Sequence, residues 1–435
     1  MATVTVDQAK LVLNTFAVIF QNNLVSKDFV TWKKFDGEMN DRNGLTVVEQ
    51  VTPDYSTSFT TNGVADLTSG VQDTTFGSEQ YKIDQTINSS MGWGDFVKIR
   101  DIGDARESEA LKAAALRLAT DIDAYILKYL ALASNWQMGD GDTKVSTWDH
   151  IASGYTRLKQ MGVDDDLTAI LSYDDWQALG STVLNNNASL SDVGGGFFRQ
   201  GMTGNVAGIP SVFTQQLPAF TVGTRVATGT TVTNQPSTPA VSYASVAISG
   251  APGQYLTSTI ALDGQSGSVT LKDGEIFTIA GIYAYDNRAK KQQSYLQQFR
   301  VVGDFTASSG AFASVRIYPA IIESGVFQTI VNTNGSDTYD GLAVTHLGAS
   351  GATLHPRIMV NKAAVQMSTA DLIMPAEGTG SRVNLSQIPM SVRMWKHSDF
   401  NTGAHSIRFD VALKANVAAK GRNRVVRING GTQFT

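Results

Sequence analysis

The residue types able to do chemistry are few in this chain and poorly spaced for it. Five histidines occur, His150, His346, His355, His397 and His405, and no two share a helix at the spacing of a two-histidine zinc motif. His397 and His405 are spaced to face each other across a hairpin, which supplies two ligands and no third. The run GDGD at 139–142 resembles the start of a calcium loop, but lacks the third acid, the following glycine and the closing glutamate, so it reads as a plain loop. DDD at 164–166 reads as a turn at a helix end. The glycines of 194–208 are followed by no Gly-Lys-Ser/Thr and are preceded by no clean strand, so they read as turns, not a phosphate cradle. No Gly-x-Ser-x-Gly elbow is present. The sequence therefore assigns no catalytic residue, no cofactor and no metal. Arg288, Lys290 and Lys291 make a small basic loop tip, either a solvated hairpin end or a contact between subunits. Arg422, Arg424 and Arg427 lack the interleaved aromatics of a nucleic-acid surface.

Composition narrows the class further. A chain of 435 residues exceeds one ordinary core, so two to four domains are expected. A net charge of −5 leaves no basic footprint for nucleic acid. The absence of cysteine excludes a disulfide framework and thiolate metal sites, and fits synthesis in a reducing cytoplasm. The first residues show no basic stretch followed by an apolar core, so no export signal is expected. No apolar run reaches the roughly 18 residues of a spanning helix, and no membrane partner is expected.

The elements follow from periodicity. Leu11, Leu13, Phe16, Ile19, Phe20 and Leu24 predict an amphipathic helix over 7–24, which packs on its own domain or docks on a neighbouring subunit. From 41 to 95 the chain turns polar, with strands at LTVVEQV (45–51) and QYKIDQTIN (80–88); Tyr81, Ile83 and Ile87 share one face of the second. Such a ribbon with a long polar tip cannot bury itself and needs another surface, its own domain's or a neighbour's. Over 104–133, Leu111, Ala115, Leu118, Ile122, Ile126 and Leu130 recur at helical spacing behind a capping box of Asp104 and Glu107. Residues 146–220 mix two helices with the buried strand LTAILS, an α/β or α+β layer. Asp273-Gly274 predicts a hairpin turn, Gly281 a bulge or a sharp bend, and about 220–340 a self-contained Greek-key-like barrel inserted into a host domain. In the tail, Ile407, Phe409, Val411 and Leu413 alternate with Arg408, Asp410 and Lys414, as in long antiparallel strands with one buried face, for which the 104–133 helix is the natural partner.

Two stretches carry a resemblance. GNVAGIPSVFTQQLP (204–218) resembles a signature of tailed-phage major capsid proteins of the Hong Kong 97 type, and LKDGEIFTIAGIYAYDNRAKKQQSYLQQFRV (271–301) is similar to the inserted domain of coat proteins of the phage P22 type. The resemblance implies an α+β Hong Kong 97-type fold. Its parts would be an N-terminal arm (1–40), an extended loop (41–95), a spine helix of the peripheral domain (96–145) and an axial domain in two parts (146–220 and 345–380). An inserted antiparallel β-barrel (221–344) and peripheral strands with the C-terminus (381–435) complete it. It implies a non-enzymatic coat protein that self-assembles, as hexamers and pentamers, into the icosahedral head shell of a tailed double-stranded DNA phage. Implied partners are a scaffolding protein, a portal protein, packaged DNA by non-specific proximity and a decoration protein. The place is the virion, after assembly in the bacterial host cytoplasm. The candidate inter-subunit residues are Leu45, Val47, Tyr81, Ile83, Ile87, Arg288, Lys290 and Lys291. In the family a barrel loop can reach a neighbouring capsomer through charged contacts; here the matching region, about 226–250, carries no charge, so that pairing is not expected. The alternatives are a nanocompartment shell of the same fold, against which the barrel argues, and a β-rich glycan-binding protein or a hydrolase using Asp140, Asp142 or Asp164, which nothing pairs.

Overall fold

The computed structural model describes residues 6–39, 44–51, 77–92, 108–163, 166–186, 205–206, 209–225, 229–233, 257–286, 289–324, 328–335, 339–374, 380–398, 405–417 and 424–430. The chain is mixed α+β and rich in strands, with four helices among the described residues: α1 (Val6–Asn23), α2 (Glu109–Ala133), α3 (Trp148–Gln160) and α4 (Tyr173–Asn186). It divides into two compact units, one of Met1–Val47, Gln80–Tyr129 and Lys362–Ala418, the other of Val48–Glu79, Leu130–Asn361 and Ala419–Thr435.

The first unit is built on the strand His405–Val417. Its N-terminal part pairs antiparallel with Ser391–Ser398, its C-terminal part with Val365–Leu372 and its middle with Gln85–Gly92. Gly380–Asn384 extends the sheet beyond Ser391–Ser398, and Thr31–Met39 lies parallel to Val365–Leu372. The alternation read in the tail holds: Ile407, Phe409, Val411 and Leu413 are all buried. Two helices cover them. Phe16 of α1 stacks on Phe409 with ring centroids 3.8 Å apart, and the Tyr125 hydroxyl of α2 accepts the Ala415 N–H at 3.3 Å. Of the two destinations open to the N-terminal helix, it takes its own unit.

Helix α2 presents Leu111, Ala115, Leu118, Ile122 and Ile126 as one buried stripe. Ser108 is the cap: its Oγ accepts the Leu111 N–H at 3.4 Å and its carbonyl the Lys112 N–H at 3.1 Å. Asp104 and Glu107 lie outside the described residues. The 25 residues from Glu109 span about 37 Å at 1.5 Å per residue.

The second unit holds a six-stranded sheet in the order Trp136–Met138, Val425–Ile428, Arg357–Asn361, Leu167–Leu171, Ile209–Phe213, Asn205–Val206. Its core gathers Trp136, Leu158, Leu171, Leu179, Met359 and Ile428. Gly154 lets α3 lie close to the sheet, since a Cβ there would stand 2.9 Å from the Ile428 side chain. The domain boundary expected at 380/381 is not where the sheets divide. Val365–Leu372 belongs to the first unit's sheet and Val425–Ile428 to the second's. Both strands are buried on both faces, so their residues show no alternation that would tell one sheet from the other.

Within the second unit, the described strands between Thr230 and Leu347 form an antiparallel ring. The strand order is Thr231–Val232, Ser258–Asp263, Phe312–Tyr318, Lys291–Val301, Ile276–Asp286, with Val344–Leu347 paired to the last. The ring closes where Val232 N–H donates to the Leu342 carbonyl at 3.0 Å and Val344 N–H to the Thr230 carbonyl at 2.9 Å. Ile260, Leu262, Phe277, Phe299, Phe312 and Ile317 fill its interior. The seventh strand, Ile330–Asn332, pairs with Ile282–Ala284, and closure covers the edge that Thr231–Val232 would otherwise expose. Gly281 (φ +76°) sits at the expected bulge, where the register between Ile276–Asp286 and Lys291–Val301 shifts. Asp273-Gly274 does turn the chain, with Gly274 at φ +86° and Glu275 N–H bonded to the Lys272 carbonyl, but it is not a hairpin. The flanking strands part: Thr270–Leu271 pairs with Phe305–Thr306, and Ile276–Asp286 with Lys291–Val301.

Candidate assembly surfaces

The described residues contain no grouping of acids and histidines fit to hold a metal. The sequence motifs resolve into structural contacts. Asp142 of the GDGD loop accepts the His355 N–H at 2.8 Å and lies 3.0 Å from His355 Nδ1, with Arg357 at 3.8 Å, so its carboxylate ties this loop to the strand Arg357–Asn361. His397 lies opposite Ser406 and His405 opposite Ser398, one residue out of register with each other. Asp166 takes a left-handed turn conformation, and Asp164 and Asp165 lie outside the described residues.

The ribbon candidates divide. Leu45–Val51 pairs with Gly77–Ile83. Val47, Tyr81 and Ile83 are buried with Met39, Ala370, Leu372 and Ala412, and Leu45 packs half-buried against them. The Tyr81 hydroxyl is 2.6 Å from Ser368 Oγ and accepts a hydrogen bond from Gln366 Nε2 at 3.1 Å. These apolar side chains thus complete their burial inside the chain and root the ribbon in its own unit. Val48, on the opposite face from Val47, is 63% exposed. Ile87 is half-buried and lies opposite Val411 in the sheet. Residues 52–76 lie outside the described residues.

At the barrel tip Lys290 and Lys291 are exposed, and Lys290 turns the chain at φ +51°; Arg288 lies outside the described residues. Arg427 lies inside the second unit. Among the described residues it is the most deeply buried guanidinium of the second unit, donating from Nη2 to the Gly274 carbonyl at 2.6 Å and lying over Phe220. Burial, with Arg300 nearby, lowers its pKa to about 9. Arg424 reaches toward Asn361 Oδ1 at 3.4 Å, and Arg422 lies outside the described residues.

Sequence reasoning missed the buried polar seam beside Gly274. Glu275 receives the Gly223 N–H at 2.6 Å, the Lys272 N–H at 2.7 Å and the Arg225 guanidinium. Arg225 also donates to the Gly348 carbonyl at 2.7 Å, and Arg300 to that of Leu132. His346 lies against Phe277 with its Nδ1 sealed and unpartnered; burial, then the nearby Arg225 charge, lowers its pKa to about 3. A signal was present: single charges within apolar strands, as in FRVV and VVRI, and Arg225 as the lone charge of 221–262. A charge so placed must find a buried partner. In the first unit Asp123, its carboxyl pushed up by burial, accepts the Val25 and Ser26 N–H groups at 3.1 and 3.0 Å and ties the end of α1 to α2.

The model of the P22 coat protein family, gene protein 5, matches residues 1–420. The chain belongs to the P22 coat protein family. As a member, it is a major capsid protein of a phage, a structural component of the shell, as the resemblance implied. Among solved structures, the chain is similar to that of Mycobacterium phage Che8 at 12% identity, covering 90% of this chain and 87% of that one with a TM-score of 0.39. The mature capsid of bacteriophage PhiM1 is similar at 9% identity, 92% and 85% coverage and a TM-score of 0.37. The virus-like particle from Pyrococcus furiosus is similar at 7% identity, 97% and 98% coverage and a TM-score of 0.33. No curated protein matches. The family match carries the assignment, and the strand-rich α+β architecture agrees with a capsid subunit.

Proposed function

We propose that this coat protein builds the icosahedral head of a tailed double-stranded DNA phage as hexamers and pentamers of a Hong Kong 97-type subunit, and that it has no catalytic role. The family match over residues 1–420 carries this reading. In it, the first unit is the peripheral domain with its spine helix, the six-stranded sheet of the second is the axial domain, and the ring of strands is the inserted domain that supports folding. The ribbon 41–95 is the extended loop. Its root is held by Val47, Tyr81 and Ile83, so the surfaces it offers a neighbour are Leu45, Ile87 and the face carrying Val48. Arg288, Lys290 and Lys291 offer a basic contact at the barrel tip. Many modest contacts of this kind add across a closed shell, so no single one need be strong.

Scaffolding, portal and decoration proteins are the partners this role requires. With a net charge of −5, the shell would hold packaged DNA by enclosure rather than by tight binding. Assembly takes place in the bacterial cytoplasm and ends in the virion. The test is co-expression with the scaffolding protein and negative-stain imaging: closed shells of uniform diameter are the expected product. A strictly monomeric chain at high concentration with that partner present would refute the reading.

A further inference from the structure

The strand Trp136–Met138 is the end strand of the second unit's sheet. Among the described residues it pairs on one side only, in parallel, with Val425–Ile428, and Met138 turns its carbonyl that way to accept the Asn429 N–H at 2.7 Å. Main-chain groups alternate sides along a strand, so the N–H and C=O of Gln137 both face away from the sheet. An outward donor and acceptor on an edge form a template to which another strand can add.

Here a side chain fills the template. Gln137 N–H donates to Gln298 Oε1 at 2.7 Å, and Gln298 Nε2 donates back to the Gln137 carbonyl at 3.0 Å. A primary amide carries one acceptor and a donor in one plane, the pair that a peptide group presents. Both glutamines are buried, at 1% and 3% exposure. The Gln137 side chain adds a second tie, donating to the Gly139 carbonyl at 3.1 Å and to that of Leu347, in a ring strand, at 3.4 Å. In a three-residue strand, occupying Gln137 occupies the whole free edge.

We infer that Gln298 is an edge seal: its amide stands in for a missing strand and keeps a strand of a second copy of this chain from adding to Trp136–Met138. The barrel then does more than fold beside the sheet, since it supplies the group that ends it. This holds for the isolated subunit and does not depend on the geometry of the shell.

The test uses the full chain with Gln298→Leu, which keeps much of the volume and removes the amide. Hydrogen exchange should quicken by roughly tenfold or more over 134–139, the scale of a buried hydrogen bond lost, while the interior ring strand Phe312–Tyr318 keeps its protection. On refolding, sedimenting β-rich aggregate should rise with protein concentration. The barrel-core variant Phe299→Leu should not produce that rise at matched stability. Adding Gln137→Pro to Gln298→Leu removes the outward N–H and should return the protein to the soluble fraction. Unchanged exchange over 134–139, or aggregation that Gln137→Pro leaves as high as before, overturns the seal. Should Gln298→Leu yield too little folded chain, Gln298→Asn, one methylene too short for both contacts, gives the same comparison.

Discussion

At the scale of single residues, the second unit gives the buried Arg225, Arg300, Arg427 and Glu275 main-chain or ion-pair partners, and His346 is the member that stays neutral. Its pKa is lowered from 6.5 to about 3, so the unfolded chain takes up a proton that the folded chain refuses. The stability tied to His346 is therefore whole above pH 6.5 and is lost as pH falls toward 3, by at most about 1.4 kcal/mol per pH unit and less because the ring is partly exposed. His346→Phe, which suits the neighbouring Phe277, should flatten that limb. Urea midpoints across pH 3.5–7 check it: a profile parallel to the parent's would show that other groups carry the acid sensitivity. A second residue-scale case is Gly274. Its φ of +86° disfavours a side chain, and a Cβ would stand 2.8 Å from Leu132 Cδ2. Gly274→Ala should cost about 1–3 kcal/mol, read from thermal unfolding of the subunit.

At the scale of elements, α1 is part of the first unit's core and not a free arm. Phe16 is fully buried on Phe409, and the loop after the helix is held by Asp123. Phe16→Ala should therefore destabilise the isolated subunit by about 3–5 kcal/mol, the range for removing a buried aromatic side chain. Denaturant unfolding of unassembled protein measures it. A loss confined to assembled shells, with the free subunit unchanged, would instead mean that the helix gains its packing from a neighbour. The barrel makes a comparable point. Its strands close on themselves through Thr230–Val232 and Leu342–Val344, so its interior is complete without the host, while Gln298, Arg300 and Glu275 turn polar groups toward the rest of the unit.

For the whole molecule, stability and assembly should separate by site. Lys290 and Lys291 are exposed at the barrel tip, so the double substitution to glutamate should move the subunit's stability by no more than about 0.5 kcal/mol. If the tip meets a neighbour, the same change should cut the yield of closed particles several-fold and make it more salt-dependent. Sedimentation of assembly mixtures at two ionic strengths decides this; unchanged yield at both would assign the tip to solvent.

Periodicity alone was enough for the two long helices and the one-sided strands of the tail, because each buries one face and writes that face as a repeat of 3.6 or 2. The residues 204–218 and 271–301 carried the family. Tertiary structure alone decided where strands buried on both faces belong, which is why Val365–Leu372 and Val425–Ile428 fell in sheets other than those expected. It also decided which polar residues lie inside. Arg427, Gln298 and Glu275 look like ordinary strand polars, and only contacts with residues far along the chain, as between Gln137 and Gln298, make their burial tolerable. Local sequence encodes which face is apolar; it does not encode which distant partner will meet a buried charge or close an open edge.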